Sequence, residues 1–224
     1  MTTTTKKPRT GKVRPVTRPD GFATIATTTS PGYNAPQKVG RRLWLPMFAM
    51  ALMGWGVGFA LALVEAGTDR GDVATLQDLG HLVPAFMFIG FAGVFSAITF
   101  TIARILGSFR KGGGDVQELS GAEVHTLAMP PTAKIMLALM MMGMMVMIAG
   151  IVVNIVAAAS FDGVTAADII DSRTWAVTAS ALRRLGVAFF LTGITFGLGT
   201  IIEVLRFQSI RIQEVADQHG HQHN

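Results

Sequence analysis

The hydrophobic pattern of this chain is dominated by four long segments without a charged side chain. These segments are residues 43–64, 82–103, 135–161 and 185–202. A helix needs about 20 apolar residues to cross the hydrocarbon core of a bilayer. The pattern therefore predicts an all-α membrane protein, a bundle of four transmembrane helices at about 43–66, 82–109, 133–159 and 182–207.

The polar segments outside these helices divide the chain into three parts. Residues 1–42 are rich in Thr, Pro, Lys and Arg, and we expect a disordered arm because they bury little apolar surface. Residues 43–207 form the transmembrane domain, with a flexible turn predicted at Gly112–Gly114 and a short interfacial helix near Trp175. Residues 208–224 are expected to extend helix 4 as a juxtamembrane helix and to end in a His-rich tail.

The basic residues fall mainly on one side of the predicted helices. Of the 19 Lys and Arg residues, fifteen lie in or next to the arm, the second loop and the tail, and four lie in the other two loops. The positive-inside rule then predicts both termini in the cytoplasm, as in a multi-pass protein of a cell inner membrane. Topology and attraction to the lipid bilayer explain the net charge of +5, so no nucleic-acid partner is predicted.

Small residues four positions apart predict where the helices approach one another. The pairs are Gly54 and Gly58 in helix 1, Gly93 and Ala97 in helix 2, and Gly193 and Gly197 in helix 4. Such pairs let backbones come close when no water drives association. They predict a compact bundle and either self-association or a place in a larger membrane complex.

Two segments of the chain resemble each other. Residues 98–110 and 194–206 both begin Ile-Thr-Phe and both end in Arg, and Gly90 and Gly186 match at the same spacing. The resemblance is consistent with a duplicated helical hairpin. Shared apolar composition is the alternative explanation.

Helix 3 contains the methionine-rich segment LALMMMGMMVMIAG. At 100° per residue, one face of this helix holds Met136, Met140, Gly143, Met144, Met147, Gly150 and Asn154. A lone Asn in a membrane helix should face protein, because an unpaired amide in lipid is costly. We therefore predict that this methionine stripe faces inward and that the remaining methionines point away.

Two interpretations of the methionine stripe differ in function. Clustered thioethers suit copper(I), and Met47 and Met50 of helix 1 are expected at a similar depth, while His219, His221 and His223 of the tail could also capture a metal. Methionine is equally a flexible side chain that fills gaps between helices. We favour packing, so that no cofactor is predicted and copper(I) binding stays as the alternative.

Few other side chains near the helices could carry chemistry. His81, at the outer end of helix 2, is a weak candidate for a haem ligand because no second histidine is expected at its level. Arg104 of helix 2 and Glu203 of helix 4 lie near the inner boundary. We predict that they pair and connect the two helices, although charge at membrane depth can also mark function.

The sequence contains no hydrolase, kinase or redox motif. It also contains no cysteine, which excludes disulfides, thiolate metal sites and cysteine nucleophiles. We therefore predict a non-catalytic multi-pass membrane protein, an accessory, scaffold or anchor subunit of a membrane complex. The alternatives are a small transporter or channel, with copper(I) as cargo, and a quinone- or haem-binding membrane anchor of an oxidoreductase.

Overall fold

The computed structural model describes residues 14–16, 25–28, 32–121, 124, 126–127, 129–160 and 165–220. Most of them belong to four helices: α1 (Ala35–Gly67), α2 (Val73–Leu119), α3 (Pro131–Ser160) and α4 (Ala166–Gly220). All four are long and apolar enough to cross a bilayer. The predicted all-α bundle of four transmembrane helices is therefore confirmed.

Three helices, α1, α2 and α4, begin earlier than the hydrophobic pattern predicts. A capping residue lies at the start of each. The backbone N–H of Asn34 donates to Gln37 Oε1 at 3.0 Å in a capping box that starts α1. Asp72 accepts from the Thr75 N–H at 3.2 Å and starts α2. Thr165 accepts from the Asp168 N–H at 3.1 Å and starts α4.

The helices also continue where turns or separate elements were predicted. α2 runs through Gly112–Gly114, so the predicted flexible turn is wrong. Gly113 lies against Gln208 and Arg211 of α4, and this close approach explains why a glycine is useful within the helix. Trp175 belongs to α4 itself, which replaces the predicted interfacial helix, and α4 extends past residue 207 as expected.

Three short strands lie beside the helices. β1 (Arg14–Val16), β2 (Ile25–Thr28) and β3 (Thr126–Leu127) pair in an antiparallel sheet of that order. β3 lies in the connection between α2 and α3, so the sheet links the arm to that connection. Within the region 1–42 predicted to be disordered, the structure places β1, β2 and the start of α1 at Ala35. The other residues of that region, apart from 32–34, lie outside the described part.

The helices form two antiparallel hairpins, α1 with α2 and α3 with α4, and α2 packs against α3 and α4 as well. Within the described residues, α1 has an extended interface only with α2. Asn34, Arg110, Pro130 and Arg211 line one cavity, so the start of α1 and the end of α4 lie at the same end of the bundle. We call this the basic end, after its arginine and lysine residues.

The interface between α3 and α4 follows a regular pattern of buried residues. On α3 these are Ala133, Met136, Met140, Gly143, Met147, Gly150, Asn154 and Ala157. On α4, the buried residues from Gly186 to Arg211 also recur at alternating intervals of three and four positions. This spacing is typical of helices that cross at a small angle over many turns.

The two hairpins differ in register. In the first hairpin, a Cβ on Gly54 of α1 would collide with Gly90 of α2. The residues that match these two in the second hairpin are Gly150 and Gly186. Gly186, however, lies against Met147 of α3 rather than against Gly150. The second hairpin is thus shifted by about one helical turn relative to the first. The hairpins share their architecture but not their register.

Candidate functional site

The methionine stripe lies in the buried interface between α3 and α4. Met136, Met140 and Met147 are at most 5% exposed, Asn154 is buried and Met144 is half-buried. The three methionines predicted to point away are 46–70% exposed. The predicted orientation of this face therefore agrees with the structure.

Each fully buried methionine lies against a glycine of α4. The pairs are Met136 with Gly197, Met140 with Gly193 and Met147 with Gly186, and in the reverse sense Phe190 lies against Gly143. Large side chains thus alternate with glycines across the interface, which lets it reach the packing density of a protein interior. Thr99 Oγ1 also lies 3.0 Å from Met140 Sδ. Packing accounts for the positions of these methionines.

The structure does not bring the methionines of α1 to this interface. Met47 and Met50 are half-buried on α1, whose extended interface within the described residues is with α2. His221 and His223 and the side chain of His219 lie outside the described residues. In the described part, no group of three His, Asp or Glu side chains could hold a metal ion. Copper(I) binding stays a prediction.

His81 lies in a buried polar cluster at the end of the bundle opposite the basic end. Its Nε2 lies 2.7 Å from Ser172 Oγ of α4, and the buried Asn154 side chain of α3 lies close to the imidazole. Asn154 Nδ2 donates in addition to the Gly150 carbonyl at 3.0 Å. The cluster joins α2, α3 and α4, and the role of His81 as a haem ligand stays a prediction.

The predicted ion pair between Arg104 and Glu203 does not form in the structure. The Arg104 guanidinium lies over the Trp44 ring of α1, 5.1 Å from its centroid. The Thr132 hydroxyl of α3 donates to Glu203 Oε2 at 3.2 Å. Arg104 faces α1 and Glu203 faces α3, so their similar depth does not bring them together.

A cavity of about 690 Å³ lies at the basic end, between all four helices. Its walls are the starts of α1 and α3, the α2 segment 99–110 and the α4 segment 200–211, with Leu127 of β3 at one side. Each of the two longer walls spans about 16 Å along its helix. The volume lies within the range of pockets that hold small molecules and cofactors.

The lining of this basic-end cavity changes from apolar to polar along its length. At the deep end, the Thr99 and Thr200 hydroxyls donate to the carbonyls of Phe95 and Phe196, so these side chains offer mainly their methyl groups. The rest of the lining is mainly apolar and includes Phe100, Leu106, Ala133, Met136, Leu137, Val204 and Phe207. The side chains of Arg110, Gln208 and Arg211 lie at the other end.

Two arginine side chains lie at the polar end of the cavity. Arg110 and Arg211 belong to its described lining, and both also have interaction partners in the structure. Arg211 is only 3% exposed, and its guanidinium lies over the Phe207 ring at 4.7 Å from the centroid. The start of α1 also lines the cavity near this end, where Gly107 of α2 lies against Gln37, and helix N-termini carry partial positive charge.

α1 and α3 form two walls of the cavity and have no extended contact with each other in the described part. Val39 of α1 lines the cavity and is 43% exposed.

The hydrophobic pattern along the chain does not reveal this cavity, because its walls come from four separate segments. Its one local signal is an arginine in the polar part that follows the apolar centre of α2 and of α4. The pattern cannot show that Arg110 and Arg211 line one space, since this depends on how α2 and α4 pack.

Comparisons with known proteins give no match to this chain, whether with family models, curated proteins or solved structures. The fold and its composition define the class, a multi-pass α-helical membrane protein. Its function has to be inferred from the geometry of the cavity and of the helix surfaces.

Proposed function

We propose that this protein is a non-catalytic membrane subunit that binds a hydrophobic molecule from the bilayer in the basic-end cavity. The observation that carries this proposal is the cavity, with its apolar interior and its polar end. Elsewhere the helices interlock closely, as the methionine–glycine pairs show. The apolar lining of a cavity of this size would give a bound amphiphile many van der Waals contacts.

An accessory or anchor role is supported by the surface of α1. Large apolar side chains of this helix, such as Leu52, Met53 and Phe59, are 52–65% exposed. α1 packs along α2 and leaves this surface available to a second copy or to another membrane subunit. We place the protein in a cell inner membrane with the basic end on the cytoplasmic side, following the distribution of its basic residues.

A quinone, like a lipid, is a hydrophobic molecule of the bilayer that would suit an apolar cavity with a polar end. A retained quinone is therefore one outcome of the experiment below. No described contact specifically favours transport of copper(I) or binding of haem. Both stay predictions from the sequence.

The proposal is tested by the molecules that the purified protein retains. The protein is extracted in mild detergent, washed and analysed for bound hydrophobic molecules by mass spectrometry. We expect about one retained molecule per chain. Ala133→Phe fills the cavity and should lower the retained amount about tenfold or more, because the bulky ring removes the binding space.

The matched control is Ala138→Phe, the same substitution on the exposed face of α3, which should retain as much as the unaltered chain. Leu137→Trp is a second cavity-filling variant if Ala133→Phe fails to elute as a single folded species. Equal retention by the cavity-filling and control variants, or no retained molecule in the unaltered protein, would contradict the proposal.

A further inference from the structure

We infer that the exposed face of α4 around Arg184 binds a transmembrane helix of a different membrane protein, one that carries a carboxylate in the middle of that helix. This inference rests on the proposed function only for the role of a membrane subunit. The basic-end cavity takes no part in it.

Contacts between the helices place Arg184 deeper than the hydrophobic pattern predicts. The pattern predicts that helix 4 begins just before Arg183 and Arg184, which would then lie at the membrane surface. In the structure, a Cβ on Gly150 of α3 would contact both Phe88 of α2 and Leu182 of α4. The Arg183 guanidinium lies over the same Phe88 ring, 4.9 Å from its centroid. This part of α4 is therefore level with Gly150 and Phe88.

That level is the middle of the apolar segments of the other helices. The charge-free segment of α3 is 135–161, and Gly150 lies about 16 Å from its nearer end, roughly half of the ~30 Å hydrocarbon core. Gly54, at the centre of the charge-free segment of α1, lies against Gly90, which follows Phe88 by two residues. The two arginines of α4 are thus near the middle of the hydrocarbon core.

The two arginines differ in their surroundings. Arg183 is half-buried and lies over the Phe88 ring of α2. Arg184 is exposed on the surface of the bundle. Among the described residues, the ion pair that forms joins Lys111 and Asp115, and no carboxylate pairs with Arg184.

An exposed arginine at this depth indicates a surface that another protein covers. The guanidinium group keeps its positive charge in proteins, and a charge that faces hydrocarbon is costly. Arginines near helix ends reduce this cost by extending to the membrane surface, but Arg184 lies half a core thickness away from it. A carboxylate on a facing helix would supply the opposite charge and two parallel hydrogen bonds.

The depth of Arg184 decides between the possible anionic partners. Lipid phosphates lie at the membrane surface, half a core thickness away. A second copy of this chain does not supply the carboxylate, because the described ones nearest to this level are Asp78 of α2 and Glu65 of α1. They lie about 15 Å from Phe88 and about 16 Å from Gly54 along their helices. A helix of a different membrane protein is therefore the partner that fits.

The surface around Arg184 allows a second helix to approach closely. Ala181, Ala188 and Thr195 are exposed on the same face of α4. The Thr195 hydroxyl donates to the Leu191 carbonyl at 3.0 Å, so it needs no partner in the membrane. Small side chains let helix backbones come close, and the charge of Arg184 would fix the depth at which the partner's carboxylate lies.

The test measures how a synthetic transmembrane helix binds to the full chain in phosphatidylcholine vesicles. Three peptides of about 20 leucine and alanine residues differ only at the middle position, which is Glu, Gln or Lys. The chain contains no cysteine, so Asp171→Cys on the exposed surface of α4 gives one labelling position for energy transfer to a labelled peptide. We expect the Glu peptide to bind about tenfold more tightly than the Gln peptide, as a charge-assisted pair would provide.

Substitutions of Arg184 assign the preference to this residue. Arg184→Gln should remove the preference for the Glu peptide. Arg184→Glu should reverse it in favour of the Lys peptide, and such a gain of binding cannot come from misfolding. The matched control is Arg173→Gln, because Arg173 is exposed on the same face of α4 but 11 residues nearer the outer end, about 16 Å away. This control should keep the preference.

Equal binding of the Glu and Gln peptides, or an unchanged preference in Arg184→Gln, would overturn the inference. Energy transfer between two labelled copies of the chain that falls in Arg184→Gln would also overturn it, in favour of self-association. The proposed function is decided separately, by the molecule retained in the cavity. If Ala133→Phe lowers retention but the peptides show no preference, the cavity proposal stands and the α4 surface is wrong.

Discussion

At the scale of single residues, glycine sets how closely the helices of this protein approach, and methionine fills the space opposite. The face of α3 that carries Met136, Met140 and Met147 follows from helical geometry and from the need to bury Asn154. Their partners on α4 do not follow from the sequence, because the register between two helices depends on how both surfaces fit. Arg104 shows the same limit, since depth alone suggested Glu203 as its partner and the structure places it over Trp44.

Two glycines of α1 allow a direct test at this scale. A Cβ on Gly54 would lie 2.7 Å from the backbone nitrogen of Gly90, whereas a Cβ on Gly56 would meet nothing within 4 Å. Gly54→Ala should therefore force α1 away from α2 and lower the free energy of unfolding by about 1–3 kcal/mol. Gly56→Ala should leave stability unchanged or raise it by up to about 1 kcal/mol. Thermal unfolding in detergent checks both, and an equal effect of the two substitutions would contradict the described α1–α2 interface.

At the scale of helices, the sequence predicts the apolar centres well and the ends poorly. The centres are marked by long charge-free segments, whereas the ends are polar and are set by capping residues and by contacts with other helices. α4 is 55 residues long, and its first turns contain Ser172, which bonds to His81 of α2. That contact joins segments far apart in the chain, so the hydrophobic pattern could not show that α4 begins at Ala166.

The first turns of α4 should depend on Ser172. Ser172→Ala removes the partner of His81 Nε2 in a buried position, which costs about 1–3 kcal/mol. We expect faster amide hydrogen exchange in residues 166–180, measured by mass spectrometry. Thr174→Ala is the matched control, because the exposed Thr174 hydroxyl donates only to the Ile170 carbonyl of its own helix. Similar exchange in both variants would show that the His81–Ser172 contact does not hold this segment.

At the scale of the whole molecule, the number of helices and their membrane character follow from the sequence, but their arrangement does not. α1 packs on one side of α2, and α2 lies against the α3–α4 hairpin, so that segments of all four helices line the basic-end cavity. No single segment contains both its apolar side chains and its two arginines. A bound amphiphile is the central claim about what this arrangement does.

Photo-cross-linking at the cavity tests that claim most directly. A photoreactive phenylalanine analogue replaces Leu137, which lines the cavity, or the neighbouring Ala138, which is exposed on the outer surface. Cells are washed, the protein is purified through detergent exchange, and irradiation is followed by mass spectrometry of the intact chain. We expect an adduct of one discrete mass at position 137 and none that survives washing at position 138. The absence of an adduct at position 137, or the same mixture of adducts at both positions, would contradict a bound molecule in the cavity.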